Sequence, residues 1–497
     1  MSSTSASVDE SKVHEGKAID PAYIEKLGAF EEDGGIHDRP AMERKLLWKL
    51  DLRFSILIII YILNYIDRNN LSAARLKGLE TDLKLKGNEY PTLLSLLYVG
   101  YIIMQIPSNM IVQYTGRPSI YLPICMAVWG TISCLTGITH NFTGALLTRF
   151  FLGFIEAAFF PGAIFLLSKW YTRKELGLRT AVLYCGSLIS SAFGPLMAAG
   201  ILSRMEGVRG IRAWRWLFYI EGALTIFFAF VAFFVLPDFP ENTRGFTDAE
   251  RTLAQLRMAE DYGEKDLDNM TPIQGLKAAV TDYKVWVMAI SLTSMVISLS
   301  FNQFFPTLTK SLGFSSTISL LLAAPPFAFA TLCAFLNARH SDKKQERAYH
   351  IVAPLCIGII GFIIAMATKK IAPRYFALFL MASSYSGFVV FYAWISNSFP
   401  RPAMKRAVAI AFINAFSQLG NVTGAYVFPK TWGPTYHKSY GICIACFVFC
   451  IGGVFVHRWS LARLNRQLES QDNNGGVDPA NLGKPSIAVP RGFRYVL

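Results

Sequence analysis

Apolar stretches of about twenty residues recur along the whole chain, separated by polar gaps that are mostly short. A bilayer core about 30 Å thick needs roughly 20 apolar residues in a single helix, so each stretch predicts a membrane-spanning helix. We place twelve such spans, at 52–74, 92–114, 119–138, 143–167, 178–202, 214–236, 285–306, 317–338, 350–368, 375–397, 405–428 and 440–458. The pattern therefore predicts an all-α integral membrane protein.

One polar gap is much longer than the others and divides the spans six and six. It carries ten Asp and Glu residues. An equal split by one long connection is typical of a duplicated six-helix unit. We therefore predict a tail at 1–46, a first six-helix bundle at 47–236, a central loop at 237–283, a second bundle at 284–459 and a tail at 460–497.

Composition agrees with a membrane location and argues against nucleic acid as a partner. The chain is 53% hydrophobic and only 16% charged, whereas soluble domains carry about 25% charged residues. The formal net charge is +14, but the basic residues are spread among the gaps between apolar stretches. A nucleic-acid-binding protein needs them clustered on one hydrated face. The partner that this composition predicts is the lipid bilayer.

Basic residues at the two ends of the apolar region orient the chain. A basic group from Arg39 to Arg53 lies at the start of the first span, and Arg458 to Arg466 follow the last. The short gaps on the two sides carry similar numbers of basic residues, so they do not indicate an orientation. By the positive-inside tendency, both tails and the central loop are cytoplasmic. The first 45 or so residues hold no apolar signal-peptide segment, and we expect the protein in the plasma membrane. Asn141, in an Asn-Phe-Thr sequon, then lies outside as a glycosylation candidate.

Five ionisable residues lie within the predicted spans, away from their ends. They are Asp67, Arg68, Arg149, Glu156 and Glu221, all in the first half of the chain. Charges inside a membrane are energetically expensive, so such residues are functional candidates. At 1.5 Å per residue the first three lie at nearly the same depth, and Glu156 follows Arg149 by two helical turns on one face. We expect a stripe facing a cavity, with a guanidinium above a carboxylate.

The chemistry of this stripe suits an anion and a proton. A guanidinium fork matches a carboxylate, which makes Arg68 and Arg149 candidates for binding an organic anion. Buried carboxyl groups favour their protonated form, so Asp67 and Glu156 are candidates for proton coupling. The alternative is a structural ion-pair network between spans 1 and 4. For Glu221 we expect a structural role, such as a pair with Arg215.

The second half offers polar rather than charged groups at depth. Asn414 and Gln418 are one turn apart on span 11, and Tyr392 lies on span 10. These groups can hold the uncharged part of a substrate, and contacts between helices explain them equally well. The sequence has no nucleophile–base pair, metal cluster or P-loop, so neither an enzyme nor a metal or other cofactor is predicted.

Several motifs together resemble a known transporter family. Span 1 reads LNYIDRNNLSAA, span 2 ends in QIPSNMIVQYTGRP, span 4 reads LLTRFFLGFIEAAFFPG, span 6 opens with WRWLFYIEG, and LPDFPENTRGFTDAER follows it. Over roughly residues 45–465 this is similar to the major facilitator superfamily, in particular the fungal allantoate-permease-like group of its anion:cation symporter branch. The resemblance implies two six-helix bundles, a monomer, and the proton-coupling and carboxylate-binding roles proposed above for the buried acids and arginines.

The same family carries short loops associated with gating. Gly116 and Arg117 follow span 2. The family normally carries an acidic residue shortly before this Gly-Arg pair, and this chain has Gln113 in its place. Asp342 and Arg347 stand in the corresponding loop after span 8, which keeps its acid. We interpret both loops as conformational latches, with ordinary solvated turns as the alternative.

The function expected from these residues is uptake of a small organic anion by proton symport and alternating access. The resemblance implies carboxylate nutrients or vitamins of the allantoate, nicotinate or pantothenate type. An efflux transporter of a secondary metabolite or drug with the same fold is the alternative. Two buried arginines count against it, because a greasy substrate does not require them.

Overall fold

The computed structural model describes residues 38–263, 272–399, 403–473 and 494–497. Within these ranges the regular structure is helical throughout. The α-helices are α1 (Arg39–Arg75), α2 (Leu79–Asp82), α3 (Glu89–Thr115), α4 (Pro118–Thr136), α5 (Phe142–Glu156), α6 (Phe159–Trp170), α7 (Arg173–Arg204), α8 (Ala213–Val235), α9 (Asp248–Gly263), α10 (Pro272–Val280), α11 (Tyr283–Leu299), α12 (Phe305–Lys310), α13 (Ser316–Lys344), α14 (Ala348–Ala367), α15 (Ile371–Ser383), α16 (Tyr385–Ser398), α17 (Ala403–Gly424) and α18 (His437–Asn473).

The helices account for all twelve predicted spans. Among the described residues, nine helical stretches are long and apolar enough to cross a membrane. Helices α1, α3 and α17 occupy the other three predicted positions. Three spans consist of two helices in line: α5 with α6, α15 with α16, and α11 with α12, the last pair joined by a 3-10 turn at Ser300–Phe304. The fold predicted from hydrophobicity is confirmed. The breaks within three of the spans were not predicted from the sequence.

Polar side chains at the helix ends explain where several helices begin. The carboxylate of Asp38 caps α1, and the Asn141 side chain accepts a hydrogen bond from the Gly144 N–H at the start of α5. Ser315 and Asp282 cap α13 and α11 in the same way. These caps satisfy backbone N–H groups that have no partner within the helix. Helix α3 ends at Gly116, whose φ of 62° favours glycine.

The helices pack as two groups that correspond to the two halves of the chain. In the first, α1 packs on α7 and α8, α3 on α5, and α4 on α8. In the second, α11 packs on α17 and α18, and α14 on α15. The groups meet where α7 contacts α13 and where α3 contacts α17. Opposite the face that carries α9 and α10, Ser316 Oγ donates to Leu76 O (3.1 Å), and Thr92 and Tyr426 hydroxyls lie 3.0 Å apart.

Large apolar side chains point outward from many of these helices. On α8, for example, Phe227, Phe230 and Phe234 are each more than half exposed. Side chains on α13 and α14 are also more than half exposed, namely Leu332, Phe335, Leu336 and Ile360. Exposed apolar surface on this scale is unfavourable in water. A surrounding lipid phase removes that cost.

The acidic central segment is held against the basic start of α1. Lys49 Nζ lies 2.7 Å from Glu250 Oε2 on α9 and also sits over the Phe246 ring. Arg39 reaches Glu260 at 2.6 Å, at the other end of α9. The basic residues before span 1 therefore neutralise acids of the central segment, in addition to any role in orientation.

We expect the Lys49–Glu250 pair to contribute pH-dependent stability. Burial raises the pKa of Glu250, but the hydrogen bonds from Lys49 and from the Thr247 backbone outweigh burial and hold it below its usual range. A carboxyl group whose pKa is lowered by folding stabilises the protein above its unfolded pKa, and this stability disappears as the pH falls. Glu250→Gln should therefore lower the Tm by about 1–3 °C at pH 7.

The difference in Tm between the wild-type protein and Glu250→Gln should shrink as the pH falls below the usual carboxyl range. The matched control is Asp248→Asn, because Asp248 pairs with Arg251 of its own helix and its side chain is 86% exposed. An equal loss in both variants would contradict a specific contribution from Glu250.

Candidate functional site

The candidate site depends on an unusually close crossing of α3 and α5. A Cβ atom on Gly153 would lie 1.9 Å from Leu97 O, and one on Gly100 would lie 2.3 Å from Phe150 O. Only glycine permits this approach of two backbones. It places Arg149 and Glu156, which flank Gly153 on α5, directly beside α3.

Arg68 and Glu156 form a buried ion pair between α1 and α5. Arg68 Nε lies 2.7 Å from Glu156 Oε2, and the two side chains are 9% and 0% exposed. The guanidinium also lies over the rings of Tyr101 (4.7 Å) and Tyr65 (5.3 Å). Glu156 is the last residue of α5, at the break before α6. The stripe predicted from sequence placed Arg149 above Glu156, whereas the direct partner of Glu156 is Arg68.

Arg149 is fully buried and only partly paired. Its Nη1 donates to the backbone oxygen of Asp67 at 3.4 Å, and its guanidinium lies 5.4 Å from the Phe218 ring centre. Its Nε and Nη2 atoms have no hydrogen-bond partner among the described residues. Leaving buried donors of a charged group unpaired is costly. An anionic ligand at this position would remove the cost.

A small cavity joins the two arginines to the second half of the chain. Its lining consists of Arg68, Asn69, Ser72, Leu93, Leu94, Leu97, Tyr98, Arg149 and Gln303. Gln303, in the 3-10 turn between α11 and α12, donates to the Tyr98 hydroxyl at 3.3 Å. Sequence reasoning missed Tyr98, although Tyr98 and Tyr101 stand one turn apart on α3.

Asp67 lies outside this lining. It is 1% exposed and accepts hydrogen bonds from Ser133 Oγ (3.1 Å) and Thr225 Oγ1 (3.3 Å), on α4 and α8. Asp67 and Glu156, predicted to face one cavity together, have separate hydrogen-bond partners. Asp67 bonds to residues of α4 and α8, whereas Glu156, at the end of α5, pairs with Arg68 of α1.

The expected pair between Glu221 and Arg215 is wrong. Arg215 donates instead to Gly137 O at 2.7 Å and contacts His140 Nδ1 at 3.1 Å. Glu221 is buried, and neither of its carboxyl oxygens has a hydrogen-bond partner within the described part of the chain. It lies one turn before Thr225, which hydrogen-bonds Asp67.

The polar residues predicted in the second half bond mainly to one another. The Tyr392 hydroxyl donates to Asn414 Oδ1 at 2.9 Å, and Gln418 Oε1 accepts at 2.9 Å from Nδ2 of Asn421, a further polar residue of α17. The Tyr392 ring also lies 5.3 Å from that of Tyr184 on α7, across the interface of the two halves. These four residues lie outside the lining that contains the arginines.

Comparison with known proteins identifies the family. The family model of the Major Facilitator Superfamily matches residues 57–425. The chain belongs to the major facilitator superfamily. It is 32% identical to MFS-type transporter cnsO of Penicillium expansum over 92% of this chain and 91% of that protein. It is also 31% identical to MFS-type transporter efuF of Hormonema carpetanum, over 91% and 92% of the two chains. The protein is therefore a membrane transporter and not an enzyme.

Solved structures show the same fold at low sequence identity. A bacterial homolog to the human lysosomal transporter Spinster, in an inward-facing and unoccupied conformation, matches with a TM-score of 0.65 and 17% identity. The match covers 82% of this transporter and 97% of that chain. A D-xylose-proton symporter matches with a TM-score of 0.60 and 14% identity, over 81% and 97% of the two chains.

The two predicted gating loops of the transporter differ in their local structure. Arg117 is the N-cap residue of α4, with an exposed side chain, and the preceding Gly116 accepts a hydrogen bond from Asn242 through its backbone oxygen. In the second loop Arg347 Nη1 lies 2.6 Å from Asp342 Oδ1. The Asp342–Arg347 pair thus joins the last turn of α13 to the residue that precedes α14.

The predicted glycosylation residue Asn141 is exposed and caps α5 through its side-chain oxygen. Its modification stays a prediction.

We expect Gly153→Ala to disrupt the site by separating α3 from α5. The added methyl group meets the Leu97 backbone, which cannot move aside as a side chain can, so the cost should exceed the usual 1–3 kcal/mol or so of overpacking. The matched control is Gly200→Ala on α7, where a Cβ atom would have no neighbour within 4 Å. Thermal unfolding in detergent should show a large loss of Tm for the first variant only. Equal Tm values would show that the crossing tolerates a side chain.

Proposed function

We propose that this transporter takes up a small organic anion together with a proton, by alternating access between the two halves. The observation that carries the proposal is the fully buried Arg149, with two unpaired donors, beside the Arg68–Glu156 pair. These groups supply an anion site and a proton site next to one another.

Arg149 is suited to bind a carboxylate. Its unpaired Nε and Nη2 donors lie on the same edge of the guanidinium plane, the edge that can donate two parallel hydrogen bonds to one carboxylate. Arg68 lines the same cavity, and Leu93, Leu94 and Leu97 supply apolar walls. Water exclusion by these walls strengthens the attraction between guanidinium and anion.

Glu156 is suited to couple the anion to a proton. In the ion pair it neutralises Arg68. Protonation of Glu156 removes this charge and frees the Arg68 guanidinium to interact with the anion. A monoanion and one proton then cross together as a neutral load. Otherwise an inward-moving anion would oppose a negative-inside potential at about 2.3 kcal/mol per charge per 100 mV.

The substrate class follows from the remaining polar groups. Gln303 Oε1 has no hydrogen-bond partner among the described residues, so it can accept from an N–H group. A carboxylate that also carries an amide or ureido group would satisfy Arg149 and Gln303 together. This favours nutrients of the allantoate or pantothenate type over simple carboxylates, with nicotinate as a further candidate. We place the tails and the face with α9 and α10 in the cytoplasm of a plasma-membrane monomer.

Arg149→Ala should abolish saturable anion uptake, because the carboxylate loses its buried charged partner. The measurement is initial uptake of labelled carboxylate nutrients, screened at two pH values in cells expressing the protein. Arg466→Ala, at an exposed position on α18, is the matched control and should transport normally. Normal uptake by Arg149→Ala would exclude this arginine as the anion site. Export from preloaded cells without concentrative uptake would favour an efflux transporter instead.

Glu156→Gln should remove pH-driven accumulation and leave substrate exchange measurable, because glutamine mimics the protonated carboxyl group but cannot release a proton. Accumulation and counterflow are measured in vesicles with and without an imposed pH gradient. Glu469→Gln, at an exposed position, should keep both activities. If Glu156→Gln still accumulates substrate across the gradient, proton coupling resides elsewhere.

A further inference from the structure

A short segment far from the candidate site is bound through several backbone hydrogen bonds. Residues 494–497 lie on the face that carries α9 and α10, against the second half. The Asn465 side chain accepts from the Tyr495 N–H (2.8 Å) and donates to the Tyr495 oxygen (2.9 Å). Trp394 Nε1 donates to Val496 O at 2.9 Å, and Leu497 O accepts from the backbone N–H groups of Arg347 and Ala348.

The groups that bind this segment are buried or helix-terminal N–H donors, which need hydrogen-bond acceptors. Trp394 is 0% exposed, and its indole ring packs 4.7 Å from His457. Without Val496 O this buried N–H would lose the hydrogen bond that it makes here, which is costly. Arg347 and Ala348 stand at the start of α14, where helical N–H groups have no partner within the helix. Tyr495 and Leu497 also pack their side chains against the second-half core.

Recognition through backbone N–H and C=O groups, with apolar contacts at alternate positions, is typical of peptide docking. We propose that Trp394, Asn465 and the start of α14 form a peptide-docking site whose occupant is the chain's own segment 494–497. The segment contacts three elements that lie far apart in the sequence: α16, α18 and the turn before α14. That turn ends at Arg347, which pairs with Asp342 at the end of α13, so docking restrains the candidate gating loop of the second half.

Three variants test whether these contacts form one unit. Asn465→Ala and a chain ending at residue 493 should each lower the Tm by about 2–4 °C. The combined variant should lose little more than either alone, because both changes remove the same contacts. Fully additive losses, or no loss in either variant, would overturn the proposal.

A pair of proline variants keeps the test valid if the shortened chain fails to fold. Tyr495→Pro removes the N–H that Asn465 accepts and should lower the Tm as Asn465→Ala does. Val496→Pro is the matched control, since the Val496 N–H takes part in none of the bonds above, and it should have the smaller effect. The reverse order would overturn the proposed contact.

Docking can also be measured directly. A fluorescent peptide of residues 491–497, Arg-Gly-Phe-Arg-Tyr-Val-Leu, should bind the chain ending at 493 saturably in detergent and restore its Tm. The same peptide with proline in place of Tyr495, or the target carrying Asn465→Ala, should bind at least tenfold more weakly. Equal binding of both peptides, or no binding of either, would exclude a site that recognises the peptide through its backbone. None of these readouts depends on transport, so their outcome is separate from that of the proposed function.

Discussion

The cost of keeping charged groups away from water constrains the centre of this transporter. Arg68, Arg149 and Glu156 lie in a helical interior where an isolated charge is highly unfavourable. Arg68 and Glu156 offset one another at 2.7 Å, with tyrosine rings over the guanidinium. Arg149 retains two donors that no other described residue pairs with. These three side chains carry two positive charges and one negative charge when ionised, so an anion could balance Arg149, and the close crossing of α3 and α5 holds Arg149 in place.

Two of the breaks in the membrane helices occur at or beside the cavity, at Gln303 in its lining and at Glu156, the partner of the lining residue Arg68. Glu156 ends α5, and Gln303 lies in the 3-10 turn between α11 and α12. A broken helix frees backbone groups that lipid cannot satisfy, so such breaks are tolerated only inside the protein or beside a polar cavity. In transporters they commonly mark the substrate site. Here they bring one residue from each half to the same region.

The two halves have the same helical architecture but contribute different kinds of side chain to the interior. The first half supplies the charged groups around the cavity, and the second supplies Gln303 to the cavity and the Tyr392–Asn414 pair at the interface. Outside the membrane, the acids of the central segment meet the basic start of α1, as in the Lys49–Glu250 pair. Basic and acidic groups that stand far apart in the sequence are therefore paired by contacts between distant segments.

Hydrophobic periodicity alone determined the helical class, the twelve spans and the equal division of the chain, because burial in lipid requires about twenty apolar residues per helix. It also identified the few ionisable residues at depth, since these stand out against an apolar background. Their partners could not be predicted in this way. Arg68, rather than Arg149, pairs with Glu156, Asp67 bonds to Ser133 and Thr225, and Glu221 does not pair with Arg215. Spacing along one helix defines a shared face, but which neighbouring helix covers that face depends on close contacts between residues far apart in sequence, such as that of Gly153 with Leu97.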